Sequence, residues 1–280
     1  MVKISDAILV SQKILDGNVS FARSEAQALL GFVLKKDRLY LSTHKDDEIS
    51  DDDFKKLQSL SDIRAKGKPF AYITGTKEFM SLEFEVNENV LIPRPETEEL
   101  VDTIIDIYKG KASRILDLCT GSGAICLSLA YYLENARCTG VDISLSAIET
   151  AQKNAEKLNL SDRCDFRLYD VLSNSYTGEK FDVVVSNPPY IETKAIEALE
   201  NTVKNYEPRL ALDGGEDGLL FYRRIIENIS AYLKKGGMLF FEIGYNQGEA
   251  LKEMMSGNFS DVKIVKDLSG HDRIAMGRYI

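Results

Sequence analysis

Four consecutive residues, Asn187-Pro188-Pro189-Tyr190, have the chemistry to hold a planar amino group. The Asn187 side-chain oxygen and the Pro188 carbonyl are acceptors that could together take both hydrogens of an NH2 group, with the Tyr190 ring placed to cover its face. Neither proline brings an N–H, and each holds the residue before it in extended backbone. A proline turn with asparagine as a turn residue is the plainer account, and for Asn-Pro alone it is the better one. Here, however, the tetrapeptide ends the run Phe181 to Ser186. Its β-branched Val183, Val184 and Val185 are too few for a helix and predict a central strand buried on both faces of a parallel sheet.

Other candidate residues fall where further strands should end. Arg114 to Leu118 predicts a strand, and Cys119-Thr120-Gly121-Ser122-Gly123 a glycine turn into a helix. Gly121 and Gly123 allow a tight turn and close approach of a ligand. The loop is no dinucleotide fingerprint, because the third glycine would fall at Cys126, and it has no phosphate-binding lysine. An ordinary strand-to-helix turn accounts for it equally well. Asp142 ends the next strand, about 20 residues further on, where an acid can grip the two hydroxyls of a ribose. Asp170 and Val171 follow the third, placed to meet the edge of an adenine. Each acid alone could cap a helix. Glycines, an acid, another acid and Asn-Pro-Pro-Tyr on four strand ends fit an adenosine ligand best.

The elements that must position these residues alternate. After Ala136 to Asp142 a helix is expected over Ser144 to Leu158. The strands at Cys164 to Tyr169 and Phe181 to Ser186 are followed by a helix from Phe221 to Leu233. A strand at Met238 to Glu242, a helix at Gln247 to Met255 and strands at Val262 to Val265 and Ile274 to Tyr279 complete the pattern. Such alternation predicts an α/β fold, a mostly parallel sheet with helices on both faces, whose ligands sit at the carboxyl ends of strands. Residues 1–70 differ: Ile4, Ala7, Ile8, Ile14 and Leu15, then Ala22, Ala26, Leu29, Leu30, Val33 and Leu34, recur at helical spacing and predict a small helical bundle. Between the two, Tyr72 to Phe79 and Leu82 to Val86 predict a β-hairpin with Gly75 and Asn87 near its turns. The expected divisions are thus a helical, substrate-recognising domain over 1–70, a hairpin linker over 71–93 and the catalytic domain over 94–280.

A formal charge of −9 argues against a protein that grips nucleic acid mainly through phosphates. Cys119, Cys126, Cys138 and Cys164 form no C-x-x-C pair and read as small buried hydrophobes, and with only His44 and His271 no metal site is expected. No basic-then-apolar leader and no membrane-length apolar run is present, so a soluble, cytoplasmic protein with no membrane partner is expected; a monomer is the expectation for its assembly, on no residue-level ground.

With these motifs the chain resembles class I S-adenosylmethionine-dependent methyltransferases, and specifically the HemK or PrmC family, which methylates the glutamine N5 of peptide chain release factors. The resemblance spans nearly the whole chain and rests on Ile92-Pro93-Arg94-Pro95-Glu96-Thr97-Glu98, on Asp117 to Gly123, on Asn187 to Tyr190, and on Glu207-Pro208-Arg209 through Asp213-Gly214-Gly215-Glu216-Asp217-Gly218. It implies a Rossmann-like class I sheet with a helical N-terminal domain. It implies S-adenosyl-L-methionine as cofactor, S-adenosyl-L-homocysteine as product, and the glutamine of the Gly-Gly-Gln loop of class I release factors as substrate. It also implies that Cys119, Thr120, Gly121, Ser122 and Gly123 surround the methionine part, Asp142 holds the ribose, and Asp170 and Val171 neighbour the adenine. Asn187, Pro188, Pro189 and Tyr190 then hold the substrate amide, with Asn187, Pro188 and Tyr190 as the catalytic set and Asn187 also beside the cofactor. Many family members have glycine where this chain has Cys119, which predicts a backbone geometry at 119 open to ordinary residues. Arg94 and Thr97 are candidates to line the site, and the glycines of Glu207 to Gly218 fit a structural turn equally well. The rival readings are an adenine-N6 methyltransferase on DNA or RNA, which presents the same two hydrogens, and a non-catalytic cofactor-binding scaffold.

Overall fold

The computed structural model describes residues 1–173 and 176–280. By internal contacts they form two units, Met1–Gly75 with Glu200–Tyr206, and Thr76–Leu199 with Glu207–Ile280. Among the described residues no helix is long and apolar enough to cross a membrane.

In the first unit the helical spacing of apolar residues produces α1 (Ile4–Leu15), α2 (Ala22–Leu34), α3 (Arg38–Thr43), α4 (Asp51–Ala65) and α5 (Phe70–Thr74). Two-residue strands β1 (Val2–Lys3) and β2 (Glu48–Ile49) pair beside them. Ile4, Ala7, Ile8 and Leu15 bury against Ala26, Leu29, Leu30 and Leu57. The acidic stretch does local work: Ser50 caps α4, accepting from the Asp53 amide at 3.1 Å, and three aspartates occupy the first turn, where the helix dipole favours them. The segment from Tyr72 was expected as a strand and is instead part of α5. Pro69 precedes its first turn, Ala71 and Tyr72 are buried, and Gly75 ends it in the left-handed conformation.

The hairpin that follows is therefore shorter than expected, β3 (Thr76–Phe79) paired with β4 (Leu82–Glu85). Met80 and Ser81 make its turn with φ of 50° and 56°. No glycine or asparagine marks that turn. It is held by α6 (Pro95–Tyr108), whose Glu98 accepts the Met80 amide at 2.8 Å, and by Tyr132, whose hydroxyl donates to the Met80 carbonyl at 2.7 Å.

The remaining order is β5 (Ser113–Leu118), α7 (Ala124–Tyr132), β6 (Ala136–Asp142), α8 (Leu145–Lys157), β7 (Cys164–Leu168) and β8 (Phe181–Ser186). After α9 (Asn201–Lys204) come α10 (Leu220–Glu227), α11 (Ile229–Tyr232), β9 (Leu233–Glu242), α12 (Gly248–Met255), β10 (Phe259–Lys266) and β11 (Asp272–Tyr279). The helix expected over Phe221 to Leu233 is thus broken at Asn228, and β9 begins earlier than its apolar run suggested. The strands lie in the order β10-β11-β9-β8-β5-β6-β7, all parallel except β11, which runs antiparallel between β9 and β10. The chain winds outward from β5 through β6 to β7 and then returns to the other side of β5 with β8. That reversal opens a crevice at the carboxyl ends of β5 and β8.

Burial alternates as a two-sided sheet requires. Val183 and Val185 face a core with Leu100, Ile104 and Leu127, while Val184 faces Leu239, Phe241, Ile225 and Leu251. One buried polar side chain ties the hairpin to this sheet: Asn154 of α8 accepts the Glu85 amide at 2.6 Å and donates to the carbonyls of Glu85 at 3.0 Å and Ser122 at 2.9 Å. It is fully buried, so its loss leaves three backbone groups without a partner. Asn154→Ala should lower the free energy of unfolding, read by urea titration, by about 3 kcal/mol with helix and strand content unchanged.

Candidate active site

The loop after β5 turns under three constraints. Thr120 donates its amide to the Val141 carbonyl at 2.9 Å and its hydroxyl to Asp117 at 2.6 Å, so its side chain tucks beneath β6. There is room for it only because residue 140 is glycine; a β-carbon there would lie 2.7 Å from Thr120 Oγ1. Gly121, at φ 56°, has nothing within 4 Å of where a β-carbon would be and leaves the loop backbone open to the crevice. Gly123, at φ 79°, packs its α-carbon against Ala151, Leu127 and Phe166 as the entry to α7. The two glycines therefore have different tasks, close approach for a ligand and close packing of a helix.

Cys119 corrects an expectation. Its φ is 62°, the left-handed region that favours glycine, so the chain keeps the glycine-like turn and carries a side chain there under strain. Burial, followed by the carboxylates of Asp142 and Asp117, raises its thiol well above the ordinary value, which disfavours the thiolate there.

Two acids stand at the next strand ends. Asp142 accepts the Gly121 amide and the Ser144 amide, each at 2.9 Å, one on each oxygen. Each oxygen keeps a second lone pair, which suits a vicinal diol. The cap of α8 is Ser144, whose hydroxyl accepts the Ala147 amide at 3.3 Å. Burial raises the Asp142 carboxyl, against the pull of its backbone donors. Asp170 accepts the Leu172 amide at 2.8 Å beside Val171. Beneath the loop Asp117 is fully buried and its Oδ1 has no hydrogen-bond partner among the described residues; burial pushes this carboxyl up to about 7.

These residues surround one cleft of about 250 Å³. Cys119, Thr120, Gly121, Ser122, Asp142, Asp170, Val171, Asn187 and Pro189 line it, joined by Arg94 and Thr97 and by Leu91, Pro93, Leu210 and Phe221. Gly123, Pro188 and Tyr190 are not among the lining residues. An open glycine, a diol-sized carboxylate and an apolar slot beside a further carboxylate fit a nucleoside-bearing ligand.

Asn187 follows the last residue of β8, and its Nδ2 donates to Thr97 Oγ1 at 3.3 Å. No described residue donates to its Oδ1, and Asn187 borders the cleft. Tyr190 turns its hydroxyl inward to Glu242 at 3.3 Å. Burial and then the Glu242 carboxylate hold that phenol well above its ordinary value. Glu242 itself is raised by burial, with the Thr97 hydroxyl and the Arg273 charge opposing.

The segments without a residue-level role in the sequence turn out to brace this turn. Ile191 donates its amide to the Leu212 carbonyl at 3.1 Å and accepts the Gly214 amide at 2.8 Å, so Asp213-Gly214 runs alongside it as a short parallel bridge. A β-carbon on Gly214 would lie 2.7 Å from the Tyr190 α-carbon, which is why glycine is needed there. Gln247 donates to the carbonyls of Tyr190 at 3.1 Å and Gly218 at 3.2 Å. Glu207, nearly buried, accepts the Ile92 amide at 3.3 Å and the Arg94 guanidinium, tying the Pro-Arg-Pro segment to the same loop. Sequence reasoning missed Glu242 and Gln247. Glu242 carried a signal, an acid closing an apolar strand just as Asp142 does.

Comparison with known proteins places the chain by sequence and by fold. A family model described as a methyltransferase domain matches residues 109–273, and one described as the PrmC N-terminal domain matches residues 8–75. The release factor glutamine methyltransferase of Clostridium acetobutylicum is 41% identical over 278 residues, covering 98% of both chains. That of Clostridium botulinum is 43% identical over 257 residues, 91% of each chain. Among solved structures, the hMettl16 catalytic domain in complex with MAT2A 3'UTR hairpin 6 superposes with a TM-score of 0.59 at 18% identity, over 79% of this chain and 81% of that one. This last likeness concerns the fold alone.

Two predictions follow from the loop. Cys119→Gly should leave the unfolding free energy within about 1 kcal/mol of the parent, whereas Cys119→Val should cost about 2 kcal/mol or more, because a β-branched residue tolerates the left-handed region least. Urea titration of both variants checks this. For Asp117, the folded carboxyl lies above its unfolded value of 3.8. The folded state then holds a proton the unfolded state has lost, and stability falls as pH rises from the unfolded value to about 7. Asp117→Asn escapes that loss, so its stability relative to the parent should grow by about 2 to 3 kcal/mol between pH 5 and pH 8.

Proposed function

The chain belongs to the release factor glutamine methyltransferase family, and we propose that it methylates the side-chain amide nitrogen of a release factor glutamine, the one in the Gly-Gly-Gln loop of class I factors, from S-adenosylmethionine. The observation that carries this reading is the orientation of Asn187. With Nδ2 engaged by Thr97, its Oδ1 is the free end, and Asn187 is one of the residues that line the cleft, together with Gly121, Asp142 and Asp170. The adenine-N6 alternative is not favoured, since relatives that match this chain end to end are named for release factor glutamine.

S-adenosylmethionine, when bound, supplies a methyl group already activated by a sulfonium. The loop Cys119 to Ser122 would hold its amino-acid part, Asp142 its ribose hydroxyls, and Asp170 with Val171 its adenine. The protein's task is then placement, because an amide nitrogen is a poor nucleophile whose lone pair is shared with its carbonyl. In this reading Asn187 Oδ1 accepts one hydrogen of the substrate NH2, and the carbonyl of Pro188, next in the chain though not itself part of the cleft lining, accepts the other. Two acceptors fix both the position and the plane of the nitrogen, an effect worth up to roughly 7 to 11 kcal/mol in favourable cases. They also face positive charge as it grows on that nitrogen, and so stabilise the transition state more than the ground state. No strong base is required beforehand, because the N–H becomes acidic only as the new bond forms; that proton would then pass to water, and the sulfur would leave as the neutral thioether of S-adenosylhomocysteine. Tyr190 is not part of the cleft lining, and its hydroxyl is committed to Glu242 and stays protonated, so its part in this reading is to anchor the turn that carries Asn187.

Labelled S-adenosylmethionine offered in parallel to a release factor, its Gln→Ala loop variant, DNA and RNA should mark the release factor alone. Asn187→Ala should lower kcat on the release factor by about 10² to 10³, a far larger change than any in cofactor affinity. Label on nucleic acid, or near-normal turnover of the variant, would remove the assignment.

A further inference from the structure

The amide of Asn187 has two ends, and only one serves the reaction. Nothing in the side chain itself stops the planar group from turning over and presenting its NH2 to the cleft. The contacts behind it decide the matter. Asn187 Nδ2 donates to Thr97 Oγ1 at 3.3 Å, and Thr97 Oγ1 donates in turn to Glu242 Oε2 at 2.5 Å. A hydroxyl has a single hydrogen. With that hydrogen given to Glu242 Oε2, Thr97 offers Asn187 only a lone pair, and a lone pair accepts the NH2 end and repels the oxygen end.

The placement of the chain makes this relay stiff. Thr97 is 3% exposed in the first turn of α6, where Pro95 sets the helix start. Glu242 is 2% exposed at the end of β9, and its second oxygen accepts the Tyr190 hydroxyl. Both ends of the Asn-Pro-Pro-Tyr turn are therefore referred to one buried carboxylate, the first through Thr97 and the last directly. We propose that Thr97 and Glu242 are positioning residues that lock the Asn187 amide with its oxygen toward the substrate nitrogen. The inference deepens the methyl-transfer reading given above and rests on Asn187 being an acceptor in it.

Thr97→Val keeps the shape of the side chain and removes both hydrogen bonds, so it separates orientation from packing. On the full-length protein, kcat for release factor methylation should fall about 10²-fold, with the KM for release factor and the affinity for S-adenosylmethionine unchanged. Thr97→Ser should recover most of the loss. In an Asn187→Ala background Thr97→Val should cost nothing further, because there is no amide left to orient. An equal fall in both backgrounds, a loss that serine does not recover, or no loss at all would overturn the proposal. A readout without substrate keeps the two readings apart. The Asn187 side-chain NH2 resonances in a nitrogen-15 spectrum, identified by their absence from Asn187→Ala, should shift in Thr97→Val and hold in Thr97→Ser. If the parent enzyme leaves release factor unlabelled, the functional reading fails while these resonances still decide the lock; resonances unmoved in Thr97→Val would overturn it whatever the substrate.

Discussion

Strand β8 ends at Ser186 because the residues that follow cannot extend a sheet, and the site depends on that interruption. Pro188 and Pro189 bring no amide hydrogen, so the ladder cannot continue past Asn187, which is left at the point where the sheet reverses its winding. A strand that stops in a crevice leaves polar groups that need partners. The chain supplies them from far away in sequence: the bridge at Asp213 and Gly214, the Gln247 amide, and the Thr97 hydroxyl. The stiffness of the turn is thus not local. It comes from segments on both sides of it, each short and each held by its own buried partner.

Buried carboxylates are the recurring device in this arrangement. Removing an acid from water is costly, and each hydrogen bond to its charged form returns roughly 1.5 to 3 kcal/mol. Glu207 collects the Ile92 amide and the Arg94 guanidinium, Asp142 two backbone amides, and Glu242 two hydroxyls with Arg273 nearby. Asp117 is the case where the donors fall short, with one oxygen unpaired, and its carboxyl is correspondingly the one raised to about 7. It sits directly beneath the glycine loop, where Thr120 and the Cys126 amide share its other oxygen.

Much of this was legible in the sequence wherever a short-range rule governed it. The valine run, the alternation of strand and helix, the acids on successive strand ends and the helical spacing of the first unit each report a local geometry, and the structure has them. The failures also have local causes. Tyr72 to Thr74 carries aromatic and β-branched residues that suit a strand, but burial of Ala71 and Tyr72 behind Pro69 outweighs that preference over a single helical turn. The true hairpin turn at Met80 and Ser81 has no turn residues because Glu98 and Tyr132 hold it from outside. Cys119 looks like a residue in ordinary backbone and is not. The role of Glu207 was out of reach for a different reason: its partner Ile92 is 115 positions away, and no periodicity links them.

Asparagine at 187 follows from the balance of these costs. An aspartate there would accept a hydrogen with either oxygen and need no orienting. It would also add a charge within reach of Thr97, whose only hydrogen already belongs to Glu242, and a second carboxylate beside the first would be unpaired and expensive. The neutral amide avoids that penalty but is ambiguous, since its two ends are nearly the same size and opposite in chemistry. Resolving the ambiguity takes a group that can only accept, and a hydroxyl can only accept once its hydrogen is committed elsewhere. The buried carboxylate is what commits it. A neutral amide at the reacting nitrogen and a buried carboxyl two hydrogen bonds behind it are therefore parts of one arrangement, in which the acid is kept where donors satisfy it and only its directional effect reaches the cleft.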